Sequence, residues 1–123
     1  FEAGRARWLL RDIEAGQPLE KHYPYPIATW KIGDTVALVI LGGEVVIDYA
    51  LSIKELDNRT ATHTNIWVAG YSNDVMAYIP SRRVLREGGY EGGSSMVYYG
   101  LPTLWAPELE ALILKVVRKQ LRN

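Results

Sequence analysis

The chain has 123 residues with 14 Lys+Arg and 14 Asp+Glu, so its formal net charge is zero and its pI is about 6.9. The length suits one domain, and the balanced charge argues against a nucleic-acid binder held by phosphate contacts, which needs a net basic face. With 48% hydrophobic and 23% charged residues wholesale disorder is excluded, and the lack of cysteine rules out disulfides, thiolate metal sites and a Cys nucleophile.

Between Glu2 and Glu14, Ala6, Leu9, Leu10 and Ile13 recur at helical spacing among Arg5, Arg7, Arg11 and Asp12. This predicts an amphipathic helix, ended by Gly16 and Pro18. His22-Tyr-Pro-Tyr-Pro26 is too proline-rich for a helix or inner strand and reads as an extended connector. Ile27 to Ile32 and Val36 to Leu41 read as strands joined into a hairpin at Gly33-Asp34. Gly42-Gly43 breaks the second strand. A helix is expected from Glu44 to Leu56, with Val46, Tyr49, Ala50, Ile53 and Leu56 on one stripe. Asp57 to Asn65 reads as a polar loop and Asn65 to Gly70 as a third strand.

Tyr71 to Gly93 reads as irregular apart from a basic helical turn around Arg82 to Arg86, and its glycine pairs predict a flexible loop end. Ser94 to Tyr99 suits a short strand. Pro107 opens a last helix to about Leu121 that is expected to bury Leu109, Leu112, Ile113, Val116 and Val117. The four Trp and eight Tyr are scattered and read as core and rim, not as a base-stacking platform. The longest apolar run, Val36 to Gly43, is far short of the roughly 20 residues of a membrane-spanning helix. No signal peptide is visible, and a chain that starts at Phe1 is expected to be processed or part of something longer. The expected fold is therefore α/β: a small sheet of three to four strands packed with helices at both termini and one central helix, in a single domain.

Candidate chemistry lies at two strand ends, where open α/β sheets collect their sites. Leu41-Gly-Gly-Glu44 puts a carboxylate beside a glycine pair that permits close backbone approach. Glu44 then either serves a site or caps the following helix. After the third strand, Asn73 and Asp74 either line a site or make a turn, and Tyr78 is either functional or a half-buried aromatic. Arg82 and Arg83 suit an anion or a solvated turn. Gly88-Gly-Tyr-Glu-Gly-Gly-Ser-Ser95 lacks the lysine and the strand-to-helix context of a phosphate loop. His22 and His63 make no His-x-x-x-His pair, and no Gly-x-Ser-x-Gly elbow is present.

Three ordered segments resemble the end of the catalytic domain of neutral (alkaline, non-lysosomal) ceramidases, bacterial type. They are Leu41-Gly-Gly-Glu-Val-Val46, Val68-Ala-Gly-Tyr-Ser-Asn-Asp-Val-Met-Ala-Tyr-Ile-Pro80 and Gly89-Tyr-Glu-Gly-Gly93. The resemblance spans about Tyr25 to Asn123. It implies a zinc amidase that hydrolyses the N-acyl bond of ceramide, with zinc held by two histidines, a glutamate and a tyrosine, and with a catalytic serine. By this resemblance Glu44 matches the glutamate ligand and Tyr78 the tyrosine ligand. The histidines and the serine have no counterpart here. Asn73, Asp74, Arg82, Arg83 and Tyr90 are expected to lie near the site entrance. The family often has Thr where Val46 stands, and Pro80-Ser-Arg-Arg-Val-Leu-Arg-Glu87 is more basic than the family's stretch. That basic character points to a different N-acyl amide or an acidic lipid as the alternative substrate.

The expectation is a C-terminal portion of a ceramidase-like catalytic domain that carries half a zinc site, is inactive alone, and works with the rest of that domain on a lipid amide. The resemblance also implies a secreted or periplasmic parent. The alternative is a non-catalytic α/β module that binds a partner or self-associates.

Overall fold

The segment Val36–Leu41 is apolar at every position, as suits a strand with both faces destined for burial. In the computed structural model, which describes residues 1–58 and 65–122, it is the central strand of a three-stranded sheet. The elements in chain order are α1 (Glu2–Glu14), β1 (Ile27–Ile32), β2 (Val36–Leu41), β3 (Glu44–Val45), α2 (Ile47–Asn58), β4 (Asn65–Ala69), β5 (Tyr78–Ile79), α3 (Arg82–Glu87), a π-helical turn (Tyr90–Ser94), α4 (Met96–Tyr99) and α5 (Leu109–Arg122).

The expected hairpin forms: β1 runs antiparallel to β2 from Ile27↔Leu41 to Ile32↔Val36, and Gly33 takes the positive φ that its turn requires. β4 lies parallel on the other side of β2, from Val36↔Asn65 to Ile40↔Ala69. A parallel pair needs a crossover, and α2 lies on that connection. α2 and α5 touch each other and cover the same sheet face. There Ala37, Val39, Leu41 and Ile66 meet Tyr49, Ile53, Ile113 and Val117 in one buried cluster. Burying each larger aliphatic side chain contributes about 1.5–3 kcal/mol. Gln120 pins α5 to β1, donating to the Ile27 carbonyl at 3.2 Å while its Oε1 accepts from Thr29 Oγ1 at 2.9 Å. The α/β class, the small sheet, the terminal helices and the central helix are as expected. No helix among the described residues is long and apolar enough to cross a membrane.

Several elements differ from expectation, each for a local reason. The central helix begins at Ile47, not Glu44, because Glu44–Val45 is extended and paired with Tyr78–Ile79. Glu44 therefore does not cap a helix. Ser94 to Tyr99 is no strand: the π-helical turn runs into α4, which Gly100 closes in the left-handed region at φ 71°. The glycine-rich end of the irregular stretch is likewise ordered. A Cβ at Gly92 would stand 2.5 Å from the Val84 carbonyl oxygen, so only glycine lets this turn close on α3. In α5, Ile113 and Val117 are buried one turn apart, whereas Leu112 (59% exposed) and Val116 (40%) are rotated toward solvent. α1 buries none of its residues, and Leu10 and Ile13 are exposed. It is held through Arg5, which donates to the carbonyls of Leu101 and Pro102 at 2.7–3.0 Å. Of the expected polar loop from Asp57 to Asn65, Asp57 and Asn58 belong to α2 and Asn65 to β4; the remainder, with His63, lies outside the described residues.

α2 and α3 are tied by a polar knot. Asp48 accepts from Arg83 Nη2 at 2.9 Å, from Arg83 Nε at 3.1 Å and from the buried Ser81 hydroxyl. Ser81 Oγ also accepts from the Val84 N–H at 3.2 Å and so caps α3. Arg83, and then Ser81, hold the Asp48 carboxyl below its ordinary value. Ser81→Ala removes both the cap and the hydroxyl donor and is expected to cost about 1–2 kcal/mol. A denaturant midpoint equal to wild type would refute that role. The linkage has a definite sign. A lowered folded pKa gives stability that is present above the unfolded value of about 3.9 and is lost as pH falls through the folded one. Asp48→Asn should therefore flatten the loss of stability in that acid window.

Candidate functional site

The site is built where β2 hands over to β3. Gly43 has φ 66°, and a Cβ there would stand 2.6 Å from Ile79 Cγ1 and 2.8 Å from the Ala77 carbonyl oxygen, so no other residue fits. Through this turn the Gly43 N–H donates to the Asp74 carbonyl at 2.7 Å, and the Glu44 N–H donates to the Ala77 carbonyl at 2.9 Å. The result is a two-residue parallel pair with Glu44↔Tyr78 and Val45↔Ile79 in register. Register partners in a sheet point to the same face. Glu44 and Tyr78, far apart in sequence, are thus side by side.

Electrostatics link them further. Hydrogen bonding to the Glu44 carboxylate, followed by desolvation, pushes the Tyr78 phenol up to about 12. The Tyr71 phenol is pushed up to about 12 by the same carboxylate. Burial and then the Glu44 charge raise Tyr99. Around this point the tyrosine rings pack edge to face. Tyr78 lies 5.4 Å from Tyr90 and 6.4 Å from Tyr99, centroid to centroid, at 73° and 75°. Tyr98 extends the cluster, 6.2 Å from Tyr90. Tyrosines that are scattered along the sequence thus come together in the fold: Tyr71, Tyr78 and Tyr99 feel the Glu44 charge, and Tyr90 and Tyr98 join through ring contacts.

The backbone under the pair is clamped from both sides. Trp105 Nε1–H donates to the Tyr78 carbonyl at 2.8 Å, and the Tyr25 hydroxyl donates to the Gly42 carbonyl at 2.7 Å. The Tyr23 hydroxyl donates to the Asp74 carboxylate, which raises the Tyr23 phenol. Tyr71 and Asn73 both have positive φ, 54° and 68°. Asparagine tolerates this region, whereas tyrosine is strained in it. Tyr71 is held there by its N–H donating to the Gly43 carbonyl at 2.8 Å.

The structure brings Glu44, Tyr78 and Tyr90 together. Asp74 supports them from below through Gly43 and Tyr23, while Asn73 is exposed in the turn. Arg83 is engaged with Asp48 and Glu87, and the Arg82 N–H donates to Glu110 at 2.8 Å. Those groups give α3 its internal and interhelical ties. His22 is exposed in the connector. Tyr71, Tyr99, Trp105 and Tyr25 were not singled out from sequence. Only Tyr71 lay in a motif, between a strand and a turn, where its positive φ left no readable mark.

A zinc ion takes carboxylate and other oxygen donors at about 2.0–2.2 Å and prefers four ligands. Glu44 and Tyr78 fit as two adjacent oxygen donors on one face. Among the described residues no group of three or more His, Cys, Asp and Glu gathers to complete such a set. On comparison with known proteins, no protein family, curated protein or solved structure matches the chain.

Proposed function

We propose that Glu44 and Tyr78 are two ligands of a zinc ion in an amidase of the neutral ceramidase type, and that this chain is the portion of the catalytic domain that supplies them. One observation carries the reading: the two residues that match the family's glutamate and tyrosine ligands are register partners on one face of the β3–β5 pair. The remaining ligands, two histidines, and the catalytic serine belong on this reading to the rest of the catalytic domain. The substrate is a lipid amide, either ceramide or a related N-acyl amide.

When bound, zinc would activate water and polarise the amide carbonyl. The chain's own residues prepare for it. Glu44 offers a carboxylate on the same face as the phenol. Tyr78 holds its proton at neutral pH as any phenol does, and the neighbouring carboxylate binds that proton more firmly by raising the phenol to about 12. Coordination through the phenolate must release that proton, so affinity rises with pH. Trp105 and Tyr25 fix the backbone on either side of the pair. Tyr90 and Tyr99 form walls against the Tyr78 ring.

Two donors bind zinc weakly. Added zinc should therefore give no turnover of a ceramide analogue by this chain alone, and clear metal-dependent turnover would contradict the half-site. In a longer polypeptide that joins this chain to the missing ligands, Glu44→Gln and Tyr78→Phe should each strip bound zinc without loss of fold. Retention of the metal in both would defeat the assignment. The second reading, a self-assembling module, is favoured by a different observation, the exposed Trp30, Ile32 and Trp67 on the sheet face away from α2 and α5.

A further inference from the structure

α5 is more basic than its place in the fold requires. Lys115, Arg118, Lys119 and Arg122 are all exposed, and no acidic residue stands between Glu110 and Asn123. The helix dipole accounts for Lys119 and Arg122 in the last turn, but it fades within that turn and leaves Lys115 and Arg118 unexplained. Ion pairs among the described residues join Arg11 to Asp12 and Arg83 to Asp48 and Glu87, so none of the four cations is neutralised there. In a chain of zero net charge this is a concentrated local excess. α1 differs, since Glu2, Asp12 and Glu14 balance its three arginines.

The same surface of α5 carries exposed apolar side chains. Leu112 and Val116 stand one turn apart and are both exposed. Leu112 and Lys119 are a heptad apart and so lie within about 20° of each other around the axis. Apolar side chains flanked by cationic heads on long stems make the profile of a helix that lies on a charged interface.

We infer that this face of α5 docks the protein on an anionic lipid bilayer, with Leu112 and Val116 entering the headgroup region and Lys115, Arg118, Lys119 and Arg122 around them. Charge complementarity selects an anionic surface. The Leu112–Val116 pair selects a bilayer over a soluble polyanion, which would leave both in water. The choice of lipid over an acidic protein rests on the lipid-amide reading above, because such a substrate resides in a bilayer. α5 is also tied to the candidate site. Trp105, just ahead of the helix, donates to the Tyr78 carbonyl, and Glu110 in its first turn accepts from the Arg82 N–H. Each cation at such a surface strengthens binding about fivefold.

The test is co-sedimentation of this chain with phosphatidylcholine vesicles containing about 30% phosphatidylserine at about 0.1 M salt. The expected result is binding that phosphatidylcholine alone does not give and that falls steeply at about 0.5 M salt. Lys115→Gln with Lys119→Gln should weaken it about 25-fold. Arg7→Gln with Arg11→Gln on α1 removes the same charge and should leave it unchanged. Leu112→Gln should weaken it about fivefold or more with no change in charge. All five positions are exposed, so each variant should keep the wild-type far-ultraviolet circular dichroism spectrum. Wild type that ignores the anionic vesicles would overturn the proposal, and so would equal losses from the α1 and α5 pairs or binding indifferent to Leu112. Glu44→Gln should leave vesicle binding intact. Docking can therefore fail while zinc still engages Glu44 and Tyr78, and the metal reading can fail while docking stands.

Discussion

Gly43→Ala should lower stability by about 3 kcal/mol or more. Two independent penalties meet there. The backbone has φ 66°, where a β-carbon is strained. The added methyl would also stand 2.6 Å from Ile79 Cγ1 and 2.8 Å from the Ala77 carbonyl oxygen. Ile79 is fully buried and the carbonyl accepts the Glu44 N–H, so neither can yield without opening the β3–β5 pair. The midpoint of denaturant unfolding measures the loss. A methyl tolerated at less than about 1 kcal/mol would mean that the turn is not the hinge on which Glu44 depends.

Glu44→Gln should release two tyrosines at once. The carboxylate is the first cause of the rise of both Tyr78 and Tyr71 to about 12. Without the negative charge both phenols should fall toward the ordinary value of about 10, giving as much as a hundredfold more tyrosinate at a given alkaline pH. Tyrosinate absorbance against pH reads this directly. Linkage sets the direction for stability. A raised folded pKa gives a contribution that is whole below the unfolded value of about 10 and is lost as pH rises through about 12. The variant should therefore lose its alkaline sensitivity in that window. Phenols that titrate as in wild type would show that Glu44 is not their partner.

The parts of the fold that were legible in the sequence are those with a strong local period or punctuation. The uninterrupted apolar run of β2, the Gly33-Asp34 turn and the stripe through Tyr49 and Ile53 each predict their element from neighbouring residues alone. The β3–β5 pair was not legible as structure. Two residues show no alternation, and Val46 continues the helical stripe of α2, so periodicity extends that helix back over Glu44. What holds Glu44 extended is a set of backbone hydrogen bonds to Ala77 and Ile79, partners some thirty residues away. The α5 stripe was read too wide for a similar reason. Leu112 and Val116 have helical spacing with the core residues, but only the tertiary arrangement decides which side of the stripe meets α2 and β1.

The site shows the same division. Glu44 and Tyr78 could be picked out as chemistry at two strand ends, and the fold makes them neighbours. Their surroundings could not be read. Tyr71, Tyr90, Tyr98 and Tyr99 come from a strained turn, a π-helical turn and a short helix, and no spacing rule joins them. Trp105 acts through its indole N–H on a distant carbonyl, a role that composition hides. Arg83 carried a suggestion of anion binding, yet its guanidinium is occupied by Asp48 and Glu87.

The central claim is that Glu44 and Tyr78 form one cation-binding pair. It is tested most directly by titrating zinc into the chain near neutral pH while following the side-chain carbon resonances of both residues by nuclear magnetic resonance. The account expects the Glu44 carboxyl and the Tyr78 phenol carbons to shift together and saturably at high zinc concentration, with a proton released, and expects Glu44→Gln to abolish both shifts. If one resonance moves without the other, or if Glu44→Gln leaves the Tyr78 shift unchanged, the two residues are not a joint zinc pair and the amidase reading falls with it.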